Sequence, residues 1–189
     1  MIGELPRKLC VNGKYYAIRT DRRDILKIIK AFNDPNLEDH EKAYVCLFIL
    51  YKDFYKIPKD DYDAALEAAG KFIDGDNRSR GDKDKQIKPT VMDWEQDEAI
   101  LFPEINKIAG YETRSAKYIH WWTFLGFYMA ISEGVFSQVL SIRNKKARGK
   151  KLESWEREFW NANKSICVLK QRLSDEEQAK KDRLNALLR

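Results

Sequence analysis

From Ile25 onward the large apolar side chains recur three and four positions apart, and this spacing constrains the chain more than any other feature. Such a period puts them on one face of an α-helix and conflicts with the alternation that a half-buried strand needs. Ile25, Ile28, Ile29 and Phe32 make the first stripe, between a capping Thr20-Asp21 and a terminating Asp34-Pro35. Tyr44, Leu47, Phe48, Tyr51, Phe54 and Tyr55 make the second. Val45, Ile49 and Leu50 fill its other side, so burial of this helix is expected. Ile57-Pro58 ends it, and Tyr62, Ala65, Leu66, Ala69 and Phe72 face inward on a third.

The second half repeats the pattern. Asp93-Trp94 opens a segment carrying Ile100, Leu101, Ile105 and Ile108 to a stop at Gly110, with Pro103 expected to kink or break it. Ser115 to Gly134 reads as the most hydrophobic helix: Tyr118, Trp121, Trp122, Leu125, Tyr128 and Met129 form one stripe, and Phe124, Phe127 and Ile131 cover much of the rest. Val135 to Ile142 continues as a short helix, and Leu152, Trp155, Phe159 and Ile166 mark another. The tail opens with Ser174 and Glu177 at capping-box spacing, but Leu184, Leu187 and Leu188 are its only large apolar residues. A helix this polar is expected to be loosely attached over 174–189.

Only one segment reads as β. Asn12-Gly13 supplies the two positive-φ positions of a type I′ turn between β-branched and aromatic residues, giving a hairpin over 8–19 that must lie against helices. The expected fold is therefore all-α: a single domain over 1–189, a bundle of about six to eight helices with a small N-terminal β-hairpin. A length of 189 residues, 43% hydrophobic, is enough to build a core. A flexible loop is expected over 74–89, and two motifs inside it are set aside. Arg80-Gly81-Asp82 is an adhesion tripeptide without a partner inside a cell. The Asp74-x-Asp76 start lacks a calcium loop's later ligands, with Arg78, Ser79 and Lys85 at the decisive positions.

The chemistry-bearing residues are sparse. The three cysteines, Cys10, Cys46 and Cys167, lack metal or redox spacing, and a reducing compartment is expected. His120 reads as a core-edge histidine and His40 as part of a solvated helix start. Asp93 and Asp97, at i and i+4, lack a third ligand nearby and suit a helix N-terminus. No phosphate-binding loop, nucleophile elbow or zinc-protease motif is present, so neither catalysis nor a metal or other cofactor is expected. No apolar stretch reaches the ~20 residues of a membrane span, and no signal peptide is read at the start. Six of the nine residues from Arg143 to Lys151 are basic. That run leaves a small nucleic-acid-binding protein as an alternative, but three glutamates follow at once and no base-reading helix is evident.

From Asp93 onward the string resembles a known family. Asp93-Trp94-x-x-Asp97, Ile105-Asn106-Lys107, Gly110-Tyr111-Glu112 and His120-Trp121-Trp122-Thr123-Phe124 are followed by Glu133-Gly134-x-Phe136, Ile142-Arg143-x-Lys145, Gly149-Lys150-Lys151-Leu152 and Trp155-Glu156-x-x-Phe159. Together they are similar to the phage family named Gp fifteen, of long-tailed phages and prophages of Gram-positive bacteria. The resemblance implies a helical, cofactor-free tail assembly chaperone that holds the tape measure protein soluble. It also implies the major tail protein as a further partner, action in the bacterial cytoplasm, and absence from the mature virion. A structural tail or connector component is the other role such a protein would take.

Partner binding is expected from the apolar surfaces that a single bundle seam does not use. Candidates are Trp121, Trp122, Phe124, Phe127 and Tyr128 on the central helix and Trp155 and Phe159 on the later one. Arg143, Lys145, Lys150 and Lys151 are expected to rim that surface and steer an acidic partner or a second copy.

Overall fold

The computed structural model describes residues 3–76 and 89–187. Most of the expected loop over 74–89, with its Arg-Gly-Asp tripeptide and the three calcium-loop positions, lies outside the described residues. Contacts group the chain into two compact units, 1–76 with 171–189, and 77–170, where the sequence reading draws one domain. The described residues form nine α-helices and one two-stranded sheet, a predominantly helical fold as expected, with one helix more than the upper expected number.

In the first unit, β1 (Lys8–Val11) and β2 (Lys14–Ala17) pair antiparallel with Val11 opposite Lys14. Asn12 and Gly13 take φ values of 45° and 83°, the positive pair that a two-residue turn requires. Asp21 caps α1 (Arg22–Phe32) by accepting from the Arg23 amide at 2.9 Å. Glu38 and Glu41 close a capping box on α2 (Asp39–Leu50). The hairpin is tied to the end of α2: the Arg19 amide donates to the Leu50 carbonyl at 2.7 Å and the Lys52 amide to that of Ala17 at 3.0 Å. The Arg19 guanidinium also donates to the Ile49 carbonyl at 2.7 Å, so a side chain from the strand exit satisfies an acceptor that every helix end leaves open. α3 (Tyr62–Ile73) packs on α2 and on β1. The buried Tyr51 hydroxyl donates to the Ala65 carbonyl at 2.8 Å. Ile25, Ile28, Leu50, Ala69 and Phe72 fill the core between them.

Two expectations for this unit change. α2 ends at Leu50, so Phe54 and Tyr55 belong to a separate 3-10 turn, Phe54–Lys56. The helix is also not buried all round, because Tyr44 and Phe48 are 54% and 58% exposed. α1 and α3 both pack on α2 and cover the sides that carry Cys46, Leu47 and Leu50, leaving one aromatic edge outside. The last helix, α9 (Asp175–Leu187), has its Ser174–Glu177 box formed in both directions. It buries no residue, in keeping with the polar pattern, and its Asp175 amide donates to Asn36 at 2.9 Å.

The second unit holds α4 (Glu98–Ala109), α5 (Trp121–Met129), α6 (Val135–Ala147), α7 (Ser154–Ala162) and the single turn α8 (Lys164–Cys167). Of the kink or break expected at Pro103, no break occurs, and α4 runs on through it. Pro103 is exposed, so the acceptor left by its missing amide stays open to water. α5 spans nine residues and not the Ser115–Gly134 of the periodicity. A 3-10 turn, Thr113–Ser115, and an extended Ala116 precede it, and the helix starts where His120 Nδ1 accepts the Trp122 amide at 3.1 Å. An apolar run sets which residues prefer the interior; the cap sets where the helix begins. Gly134 ends the connection at φ 149°, where an added side chain would meet the Glu104 carboxylate.

Candidate docking surface

A buried ion pair lies within the second unit. Asp97 is the N-cap of α4 and 1% exposed, and Arg143 comes from α6. The guanidinium meets the carboxylate side by side, Nη1 to Oδ2 at 2.8 Å and Nη2 to Oδ1 at 2.7 Å. Its remaining donors reach the carbonyls of Cys167 at 2.9 Å, Val91 at 2.9 Å and Ile166 at 2.6 Å. All five guanidinium N–H groups therefore have acceptors, the condition under which a buried arginine is tolerated. Asp97 also accepts the Asp93 amide at 2.9 Å, while Asp93 accepts from the amides of Glu95 and Gln96.

The other polar residues that carry the family resemblance do comparable work. Asn106 donates to Glu112 at 2.9 Å and accepts from the Thr113 amide and hydroxyl, which folds the chain back after the left-handed Gly110. Buried Glu156 accepts from Lys145 at 2.6 Å and from the Glu153 amide at 2.8 Å. These residues fasten the second unit together. Among the described residues no group of three or more His, Cys, Asp or Glu side chains could hold a metal, and no helix is long and apolar enough to cross a membrane.

The side chains expected to bind a partner separate into three kinds. Trp121 and Phe124 are core, at 1% and 0% exposure, with the Trp94 ring 6.0 Å from each. Trp122, Phe127, Tyr128 and Phe159 are half-buried, and the Tyr128 hydroxyl donates to Met92 Sδ at 3.3 Å. Trp155 stands 54% exposed. The expected cationic rim also changes. Arg143 is inside, because a buried carboxylate and three carbonyls compete better for it than solvent does, and Lys145 is held by Glu156. Lys150 and Lys151 are exposed as expected. Lys146, also exposed, lies 4.4 Å over the Trp160 ring. The basic run thus presents fewer free cations than its sequence promises, which weakens the nucleic-acid alternative.

The same fastenings carry a pH dependence. Hydrogen bonds from Arg114, then Asn106, hold the Glu112 carboxyl down at about 2. Lys145 and the Glu153 amide hold Glu156 below the usual carboxylate range. Both groups bind protons more tightly in the unfolded chain than in the folded one. Their stabilisation is complete above about pH 5 and is lost as pH falls through their lowered pKa values, about 2 for Glu112. Thermal melting followed by tryptophan fluorescence should give a midpoint that is level from neutrality to mild acid and then falls. Glu112→Gln should make that fall shallower, and an unchanged slope would refute the assignment.

Sequence reasoning missed a surface on the first unit. Between α2 and α3 lies an apolar groove of about 680 Å³, lined by Leu37, Ala43, Tyr44, Leu47, Tyr62 and Leu66. His40, Glu41 and Asp63 stand on its walls. The exposed Tyr44 and Phe48 rings stack at 6.1 Å, and both meet Phe54 edge-on, at 5.3 and 6.2 Å. Phe54 in turn lies 5.4 Å from Tyr62. The rings brace one another, so the outer pair is held in place without being covered. Elsewhere on α2, burial pushes the Cys46 thiol up to about 12. The available signal was that Tyr44 and Phe48 sit one turn apart on a helix with more apolar faces than its neighbours cover.

Residues 1–169 match the family model described as Bacteriophage Gp15 protein. The chain matches no curated protein and no solved structure.

Proposed function

This chain belongs to the bacteriophage Gp15 protein family, and from that premise we propose that it is a tail assembly chaperone. On this reading it binds the phage tape measure protein, keeps it soluble in the host cytoplasm, and is absent from the finished virion. It acts by binding, without catalysis or cofactor.

The observation that carries the reading is the apolar groove on the first unit, with the stacked Tyr44 and Phe48 left outside. A long apolar helix awaiting assembly needs cover for its apolar face and later needs to be released. Covering about 300 Å² of that face contributes on the order of 7 kcal/mol at ~25 cal/mol per Å². Lost motion on association takes back a large part of it. One groove therefore gives weak, exchangeable binding, and several copies along one client add avidity. That balance suits a holder that subunits of the growing tail displace.

Co-expression with the tape measure protein of the same phage genome tests the reading. The client should move from the insoluble to the soluble fraction and co-purify with this chain. Unchanged solubility with nothing co-purifying would refute it. Mass spectrometry of purified particles separates the chaperone from a structural tail component, which would persist in the virion.

A further inference from the structure

We propose that the groove between α2 and α3 accepts a cationic amphipathic helix: an apolar face flanked on both sides by Lys or Arg. The proposal rests on the chaperone reading, because it specifies the client segment that this surface takes.

Charge complementarity is the first argument. Between Asp34 and Glu67 the chain carries nine acids and four lysines. The surplus reaches the groove itself, with Glu41 on the α2 wall and Asp63 on the α3 wall. Asp39 adds a further charge in the first turn of α2, and Asp60 precedes α3. Helix N-termini ordinarily attract anions, but here Glu38, Asp39 and Glu41 already occupy the positive end of α2. An apolar ligand with acidic flanks would meet like charge on both walls; one with basic flanks would meet opposite charge.

The exposed aromatic pair is the second. Tyr44 and Phe48 lie parallel, with ring planes 9° apart, and are more than half exposed. Of the two, Tyr44 lines the groove, and the π face of an exposed ring attracts ammonium and guanidinium groups and gives nothing to a carboxylate. The groove lining supplies the third. Leu37, Leu47 and Leu66 are apolar and aromatic rings stand at the rim, the chemistry that receives side chains spaced i, i+3, i+4 and i+7 from a docked helix. Its volume of about 680 Å³ falls within the ~300–1,000 Å³ of built ligand sites.

The test uses the full chain and three fluorescein-labelled helical peptides. They share one leucine face and carry Lys, Gln or Glu on the flanks. Anisotropy should rank them Lys, Gln, Glu, with Lys over Glu by roughly tenfold or more at low salt. That advantage should shrink at about 0.5 M salt. Asp63→Lys should narrow or invert the ranking, and Tyr44→Ala should weaken all three. Both positions are exposed, and far-ultraviolet circular dichroism checks that the variants keep their fold. Equal binding of the three peptides, or a ranking untouched by Asp63→Lys and Tyr44→Ala, would overturn the proposal. So would Lys peptide binding that merely dissociates a self-associated form in sedimentation, since the groove would then belong to a second copy. Failure here is separable from failure of the chaperone reading. If the two variants still solubilise the tape measure protein as the parent does, the client docks elsewhere and this proposal falls alone. If the peptides rank as expected but the tape measure protein is not held, the docking chemistry stands and the chaperone reading falls.

Discussion

Asp97→Ala should destabilise the second unit by about 3–5 kcal/mol, the cost of leaving a buried charge without its partner. The carboxylate takes two guanidinium hydrogen bonds and the Asp93 amide, so its loss strands three donors at once. Arg143→Ala should cost a similar amount for the mirror reason, since the carbonyls of Val91, Ile166 and Cys167 lose their donor along with Asp97. Arg143→Lys should rescue little: an ammonium has three donors and no planar fork. The double variant should be less than additive, because each single change already breaks the pair. All five tryptophans, Trp94, Trp121, Trp122, Trp155 and Trp160, lie in this unit. Urea unfolding followed by their fluorescence therefore reads it separately. A loss below about 1 kcal/mol for either single variant would mean that the pair is not the fastening described, that being the range of exposed pairs.

Trp121→Ala should cost about 3–5 kcal/mol as a large-to-small core change, whereas Trp155→Ala should stay near the ~0.5 kcal/mol of ordinary surface changes. Trp121 is 1% exposed and packed against Trp94 and Phe124, with ring centroids 6.0 and 5.9 Å away. Truncation there opens a cavity in the packed centre. Trp155 is 54% exposed at the start of α7, so its removal leaves the fold in place. Lost self-association or lost client binding in a folded Trp155→Ala chain would identify a second contact surface. Unfolding by Trp155→Ala would contradict the observed exposure. The same urea transitions, with near-ultraviolet circular dichroism as a check on packing, measure both variants.

The polar residues of the family resemblance were legible as a pattern but not as a set of contacts. Asp97 and Arg143 stand 46 positions apart, and nothing local to either announces the other. Asp97 suggested a helix start, which it is, and Arg143 suggested a solvated cation, which it is not. The basic run misled because a charge in sequence carries no burial label. Arg143 shares its run with Lys150 and Lys151, yet one is in the core and the others are in solvent. On α5, Trp94, Phe102 and Phe136 contact the rings, so Trp121 and Phe124 are core while Trp122, Phe127 and Tyr128 stay half-buried. Tyr44 and Phe48 on α2, a helix expected to be buried, are more than half exposed.

By itself the sequence determined the helical class, the Asn12-Gly13 hairpin, the Asp21 and Ser174 caps, and a last helix with nothing to bury. These follow from spacing and from side chains acting on backbone groups within a few residues. Only the tertiary structure decided which cation is inside and which helix keeps an aromatic edge outside. Each of those depends on which neighbour arrives to cover a surface or accept a hydrogen bond. Covering and pairing across tens of residues are properties of packing, and no local pattern encodes them.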